Sequence, residues 1–139
     1  MNATLRDLLG GALPPALYTL RSRAQAPALA AALAGRGWRC FTLDGTAISS
    51  KATFLAASAA AMEFPAYFGH NWDAFEECVN DLSWAPAAGH VLLYEQAARF
   101  ARAQPAEWAI ARSILAEAAT RSAGAGTPFY VLLRGVRAR

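Results

Sequence analysis

The sequence contains few of the residues that commonly bind metals or form disulfide bonds. Two cysteines and two histidines occur in 139 residues, and Cys40 and Cys78 lie far apart without metal-ligand spacing. No apolar run approaches the ~20 residues of a membrane helix, and no glycine-rich phosphate loop is present. We therefore predict two free thiols in a reducing compartment, no metal, no cofactor and no membrane span.

Charged residues are also scarce, and lysine is almost absent. Only 17% of the residues are charged while 55% are apolar, which excludes a disordered chain. Twelve of the 13 basic residues are scattered arginines, so direct binding of nucleic acid is not predicted. Two glycines and two prolines interrupt the apolar segment 8–20. This segment is therefore not expected to be a signal peptide, and we predict a cytoplasmic protein.

One long stretch lacks positive charge altogether. Residues 52–98 contain no lysine or arginine and six acidic residues, so their net charge is −6. The remainder of the chain holds all 13 basic residues against four acidic ones and carries +9. The net charge of +3 is therefore the sum of an acidic central segment and basic flanking segments.

The acidic residues concentrate in a predicted helix over residues 71–82. Asn71 is a favourable N-cap, and Asp73 then lies in the first turn. One arc of this helix is apolar, with Trp72, Phe75, Val79 and Leu82. The opposite arc is polar and acidic, with Asp73, Glu76, Glu77, Asn80 and Asp81. Acids at four-residue spacing weaken a helix, so this arc is interpreted as a surface that faces a positive partner. The same acids would raise the pKa of the Cys78 thiol, which argues against a nucleophile.

The rest of the chain alternates between predicted strands and helices. Strands are predicted over residues 16–20, 38–43, 90–94 and 127–133. Helices are predicted over 27–34, from Ser49 or Ser50 to about residue 63, and over 105–121. A short helix and a frayed terminus both fit residues 1–13. Strands separated by helices predict an α/β fold with a small, mainly parallel sheet.

The string PAYFGHNWDA at residues 65–74, within this order of elements, resembles the barstar family of intracellular ribonuclease inhibitors. The resemblance covers residues 40–134. It implies a barstar-like α/β fold in which helices pack on a small parallel sheet. Residues 1–39 are interpreted as an N-terminal strand-and-helix extension, and residues 1–139 as a single domain.

The resemblance also implies a basic protein partner, a small secreted ribonuclease or a ribonuclease toxin paired with its immunity protein. The partner-binding residues that it implies are Tyr67, Asn71, Asp73, Glu76, Glu77 and Glu117. A rigid row of carboxylates imitates the RNA phosphate that a ribonuclease binds. Two positions depart from the family pattern: Glu77 replaces an aspartate, and Glu76 replaces an aromatic residue. Both changes keep or add negative charge, and they alter how far the carboxylate extends from the helix.

Two other functions remain open at this point. The acidic arc also fits a general protein-interaction domain with no ribonuclease target. His70, Asp73 and Glu77 also fit a metal-dependent hydrolase, or His70 and Glu77 an acid–base pair, although the spacing matches no known ligand motif. We predict that the protein is not an enzyme. Trp72 is expected to pack into the core, and Tyr67 to be exposed for contact with the partner.

Overall fold

The computed structural model describes residues 1–136, which contain a five-stranded sheet with all neighbouring strands parallel. The strands are β1 (Asn2–Ala3), β2 (Leu17–Leu20), β3 (Trp38–Asp44), β4 (Gly89–Glu95) and β5 (Phe129–Leu133), in the order β1-β2-β5-β4-β3. The helices are α1 (Leu5–Leu9), α2 (Ala26–Ala34), α3 (Lys51–Ala61), α4 (Trp72–Asp81), α5 (Ala98–Ala103) and α6 (Pro105–Ser122). The predicted α/β class is confirmed. Residues 137–139, the end of the predicted domain, lie outside the described residues.

The sheet separates two apolar layers because successive side chains of a strand point to opposite faces. Leu92 and Tyr94 of β4 pack with Phe54 and Phe75, in the layer beneath α3, α4 and α6. Val91 and Leu93 belong to the other layer, with residues of α1 and α2. Both faces of β4 are covered, which explains its nearly continuous apolar sequence.

Residues 1–37 extend the same sheet. β2 pairs in parallel with β5, and β1 forms the outer edge beside β2. The predicted strand and helix of the extension are present as β2 and α2, α1 is the short helix that was one alternative for residues 1–13, and β1 was not predicted. β1 and α1 are too short to show a hydrophobic period, and α1 begins with a capping box between Thr4 and Asp7.

Tertiary contacts set other boundaries that the sequence pattern does not show. α3 ends at Ala61, two residues early, and Glu63 has a left-handed φ of 56°. α5 was not predicted because its six residues have no side-chain cap. Gly45 follows β3 where a Cβ would lie 2.0 Å from the Glu95 carbonyl oxygen, so only glycine fits against the end of β4.

No helix among residues 1–136 is long and apolar enough to cross a membrane.

Candidate partner-binding surface

α4 begins as its sequence predicts. The Asn71 side-chain oxygen accepts a hydrogen bond from the Ala74 amide at 2.8 Å, and Asp73 lies in the first turn. His70, just before the cap, has a φ of 54°, so the chain turns sharply into the helix. Leu82 ends α4 in the left-handed conformation. The predicted helix is confirmed to within one residue at each end, and its start is held by local hydrogen bonds.

The two faces of α4 differ as predicted. Phe75, Cys78 and Val79 are buried, and the Phe75 ring lies 5.1 Å from that of Phe54. The four acidic residues of the helix lie outside this apolar side, and we call them the α4 carboxylates: Asp73, Glu76, Glu77 and Asp81. Three of them are exposed, while Glu76 is half-buried.

The α4 carboxylates have no ion-pair partner within residues 1–136. Two ion pairs occur in that part of the chain, Arg39 with Glu63 and Arg134 with Glu95. Glu63 and Glu95 are the only acidic residues of the 52–98 stretch outside α4. The uncompensated charge of the stretch is therefore concentrated on one helix.

The loop before α4 holds Tyr67 outward. Tyr67 is 77% exposed, whereas its neighbour Phe68 is buried against the Phe64 and His70 rings at 4.9 and 4.8 Å. The Phe68 amide donates to the Pro65 carbonyl oxygen at 3.0 Å and closes a turn. Phe68 thus anchors the loop, and the predicted exposure of Tyr67 is confirmed.

Trp72 connects the start of α4 to two other helices. Its indole Nε1 donates to Glu107 Oε2 of α6 at 2.9 Å, and its ring lies 5.8 Å from that of Phe54. The Lys51 ammonium, at the start of α3, lies 5.7 Å from the Trp72 ring centroid. The expected packing of Trp72 is confirmed. The role of Glu107 was not predicted, because no local pattern links it to a residue 35 positions earlier.

Glu117 lies at the solvent edge of the α6 flank that is next to α4. The two helices run side by side in the same direction: Trp72 meets Glu107 at one end, and Asn80 and Arg121 line one cavity at the other. At 100° per residue, Glu117 lies about 80° around the helix axis from Glu107 and about 40° beyond Arg121, on the solvent side of these contacts. Its side chain is exposed and accepts a hydrogen bond from Ser113 Oγ at 3.4 Å. All six predicted partner-binding residues thus belong to α4, its preceding loop and the adjacent flank of α6.

The residues considered for catalysis do not assemble into a metal site. Within residues 1–136, no group of three or more His, Cys, Asp or Glu side chains is placed to hold a metal ion. The His70 ring instead lies against the Phe68 ring, tilted by 48°. Burial raises the pKa of the Cys78 thiol, and the nearby Glu77 and Asp81 raise this pKa further, so the thiolate form is disfavoured.

The second histidine has a structural environment. His90 is buried at the start of β4, where Nε2 lies 2.5 Å from the Ala85 carbonyl oxygen and the ring stacks on Phe41 at 5.9 Å. This contact joins the α4–β4 connection to the sheet.

Comparison with known proteins adds one finding. The sequence model of the Barstar (barnase inhibitor) family matches residues 38–134. No curated protein matches the chain. The matched region begins with β3, includes the loop before α4, α4 itself and α6, and contains all six predicted partner-binding residues. The chain therefore belongs to the Barstar family.

Proposed function

We propose that this protein inhibits a small ribonuclease by covering its cationic active site with the α4 carboxylates and Tyr67. The observation that carries the proposal is the distribution of ion pairs. Both acidic residues of the 52–98 stretch that lie outside α4 have an arginine partner, and the four on α4 have none within residues 1–136. A charge row with no internal partner supports a role toward an external cation.

Phosphate mimicry gives this arrangement a physical rationale. A ribonuclease binds RNA phosphate with lysine, arginine and histidine side chains, which form strong hydrogen bonds to any well-placed carboxylate. Asp73 and Glu77 lie one turn apart on the crest of α4, which is the solvent-facing side opposite Phe75 and Val79. They present two such carboxylates. The helix is fixed at its start by the Asn71 cap and the Trp72–Glu107 hydrogen bond, so little order has to be gained on binding.

The remaining proposed contacts surround this crest. Tyr67 supplies an exposed aromatic ring, and aromatic residues are common anchors at protein interfaces. Glu76 lies on the α6 side of the crest, and Glu117 extends the negative surface onto α6. Glu77 is one methylene longer than the aspartate of the family pattern, so its carboxylate reaches farther into the partner.

The direct test is a titration of ribonuclease activity with purified protein. Barnase, the enzyme in the family's description, serves as the probe, and we expect suppression at one inhibitor per enzyme. Asp73→Ala and Glu77→Ala should each lower affinity by more than about 2 kcal/mol, a size borrowed from measured interface hot spots, this family's included. Glu63→Ala, an exposed acid in the same stretch that already pairs with Arg39, is the matched control and should have little effect.

Two results would overturn the proposal. The first is full inhibition by the Asp73→Ala/Glu77→Ala double variant, which would place the contact elsewhere. The second is the absence of any binding to barnase by the wild-type protein, which would favour a general interaction domain. We also propose that the protein has no RNA-degrading activity of its own. RNA turnover that survives purification and is lost in His70→Ala would contradict this second point.

A further inference from the structure

An exposed apolar side chain lies beside the acidic surface. Three large apolar residues are exposed among residues 1–136, namely Met1, Tyr67 and Ile110. Tyr67 already belongs to the proposed surface, and Met1 is the chain's first residue. Ile110 is 41% exposed in the middle of α6, where a helix with a covered apolar face normally carries polar residues. The rest of its surface is covered by neighbouring residues, so Ile110 presents a partly exposed apolar surface.

Helix geometry places Ile110 toward α4. Glu107 and Arg121 mark the α4 side of α6, since one contacts Trp72 and the other lines a cavity of about 390 Å³ with Asn80. Positions 107, 110, 114, 117 and 121 recur at intervals of three and four and form one stripe. Ile114, one turn after Ile110, is half-buried in this stripe. The stripe therefore carries two isoleucines between the acidic crest of α4 and Glu117.

We propose that Ile110 and Ile114 form an apolar anchor of the docking surface, so that the partner presents an apolar side chain next to its lysines and arginines. This inference rests on the proposed function and deepens it. By helix geometry, half-buried Glu76 lies on the side of α4 that is next to α6, between Trp72 and Asn80, and Glu117 lies on the far side of the isoleucines. A basic ribonuclease with an apolar residue at the rim of its active site complements both parts of this surface.

The two parts have different physical tasks. Carboxylates attract a cationic partner over distances near the screening length of ~10 Å, and salt weakens that attraction. An apolar contact acts at short range, excludes water from the neighbouring ion pairs and slows dissociation. The energy of the apolar anchor should therefore be insensitive to salt, unlike that of Glu77.

The test compares two substitutions that introduce the same side chain on the same helix. Ile110→Gln removes the anchor, whereas Ala109→Gln places glutamine on an exposed position that points away from α4. Binding to barnase is measured at low and at physiological salt. We expect Ile110→Gln to raise Kd about tenfold at both salt concentrations, mainly through faster dissociation, and Ala109→Gln to change Kd less than about twofold. Circular dichroism and the melting temperature verify that both variants fold.

The outcomes separate this inference from the function on which it rests. If Asp73→Ala weakens binding and Ile110→Gln does not, the inhibitor function stands and the apolar anchor is wrong. If Ile110→Gln weakens binding only at low salt, its effect is electrostatic and the anchor is likewise wrong. If the wild-type protein does not bind barnase, both proposals fail together.

Discussion

At the scale of single residues, the proposed binding role of the Glu77 carboxylate opposes the stability of the free protein. Glu77 stands four residues from both Asp73 and Asp81, and each like-charge pair costs a few tenths of a kcal/mol, roughly 0.2–0.5. It makes no ion pair within residues 1–136. Glu77→Gln should therefore raise, or at least preserve, the melting temperature of the free protein while weakening its complex with a ribonuclease.

Asp73→Asn is the matched control for this prediction. Asp73 has one like-charged neighbour at four-residue spacing rather than two, and it gains from the positive end of the helix dipole. Its neutralisation should therefore stabilise the free protein less than that of Glu77. A loss of more than about 1 kcal/mol in Glu77→Gln, measured by denaturant unfolding, would reveal an internal hydrogen bond to Glu77 and contradict its proposed role.

Two buried tyrosines allow a second prediction about single groups. Tyr94 is fully buried, and its hydroxyl has no hydrogen-bond partner within residues 1–136. Tyr18 is equally buried, but its hydroxyl donates to the Pro14 carbonyl oxygen at 2.6 Å. Tyr94→Phe should leave the free energy of unfolding unchanged or higher, whereas Tyr18→Phe should lower it by about 1 kcal/mol. Equal losses in chemical denaturation would mean that Tyr94 has a hidden partner.

The same hydroxyl predicts a dependence of stability on alkaline pH. Burial raises the pKa of Tyr94 above that of an unfolded tyrosine, about 10. Above that pH the unfolded chain releases this proton before the folded chain does, so stability is complete below pH ~10 and falls as pH rises. Tyr94→Phe should make this fall less steep.

At the scale of secondary-structure elements, a helix or strand could be predicted where its own sequence carries the signal, and was missed where it depends on contacts with distant segments. α4 carries its own N-cap and a strong separation of polar and apolar residues, so residues 71–82 predict it unaided. β1 and α5 exist because neighbouring chain segments support them, and their short sequences have no such signal. The packing of α3 likewise depends on residues distant in the chain, because Phe54 is fully buried where Trp72, Phe75, Tyr94 and Phe100 surround it.

The candidate site shows the same division. The acids of α4 are visible in the sequence because charge and periodicity are local properties, whereas the exposure of Tyr67 was expected from the resemblance to the Barstar family. The contact of Trp72 with Glu107 depends on α6 lying beside α4, and no sequence pattern predicts that neighbour. For the same reason the sequence does not distinguish Ile110 from other residues of α6. Its position beside α4 follows only from the packing of the two helices.

The Trp72–Glu107 hydrogen bond predicts how α6 supports α4. Glu107→Ala removes the acceptor and leaves the partly buried indole N–H without a partner, so we expect a loss of about 1–2 kcal/mol in unfolding free energy. Glu107→Gln keeps an acceptor and should lose less. Trp72→Phe combined with Glu107→Ala should cost less than the sum of the single changes. Strict additivity in this double-mutant cycle would show that the bond contributes nothing.

At the scale of the whole molecule, Arg134 joins the N-terminal extension to the family-matched region. Its guanidinium pairs with both carboxylate oxygens of Glu95 at 2.7 and 2.6 Å and donates to the carbonyl oxygens of Ser22 and Ala24. Tyr130 also donates to the Leu13 carbonyl oxygen at 2.6 Å. We therefore propose that residues 1–39 and the rest of the chain form a single domain that unfolds as one unit.

This proposal predicts unequal effects for the two ion pairs. Arg134→Ala breaks a largely buried pair and frees two backbone carbonyls, so it should cost on the order of 3 kcal/mol. Arg39→Ala breaks a solvent-exposed pair with Glu63 and should cost less than ~1 kcal/mol. Wild-type protein should unfold in one transition by fluorescence and circular dichroism. Two separate transitions would mean that the N-terminal extension folds independently.

The charge distribution of the molecule sets how it meets a partner. The chain carries +3 overall, so a basic ribonuclease is repelled at long range and attracted only as it nears the acidic stretch. Attraction confined to one helix favours approaches in which α4 faces the enzyme. The proposed inhibition requires this orientation.

The central claim, that the α4 carboxylates occupy the phosphate-binding site of a ribonuclease, is tested most directly by the inhibition pattern. Initial rates of RNA cleavage by barnase are measured at several substrate concentrations with fixed amounts of the protein. Because inhibitor and RNA phosphate would compete for the same cations, the apparent Ki should rise in proportion to substrate concentration above KM. An apparent Ki that is independent of substrate concentration would show that enzyme and RNA bind while the inhibitor is in place, and would contradict the account.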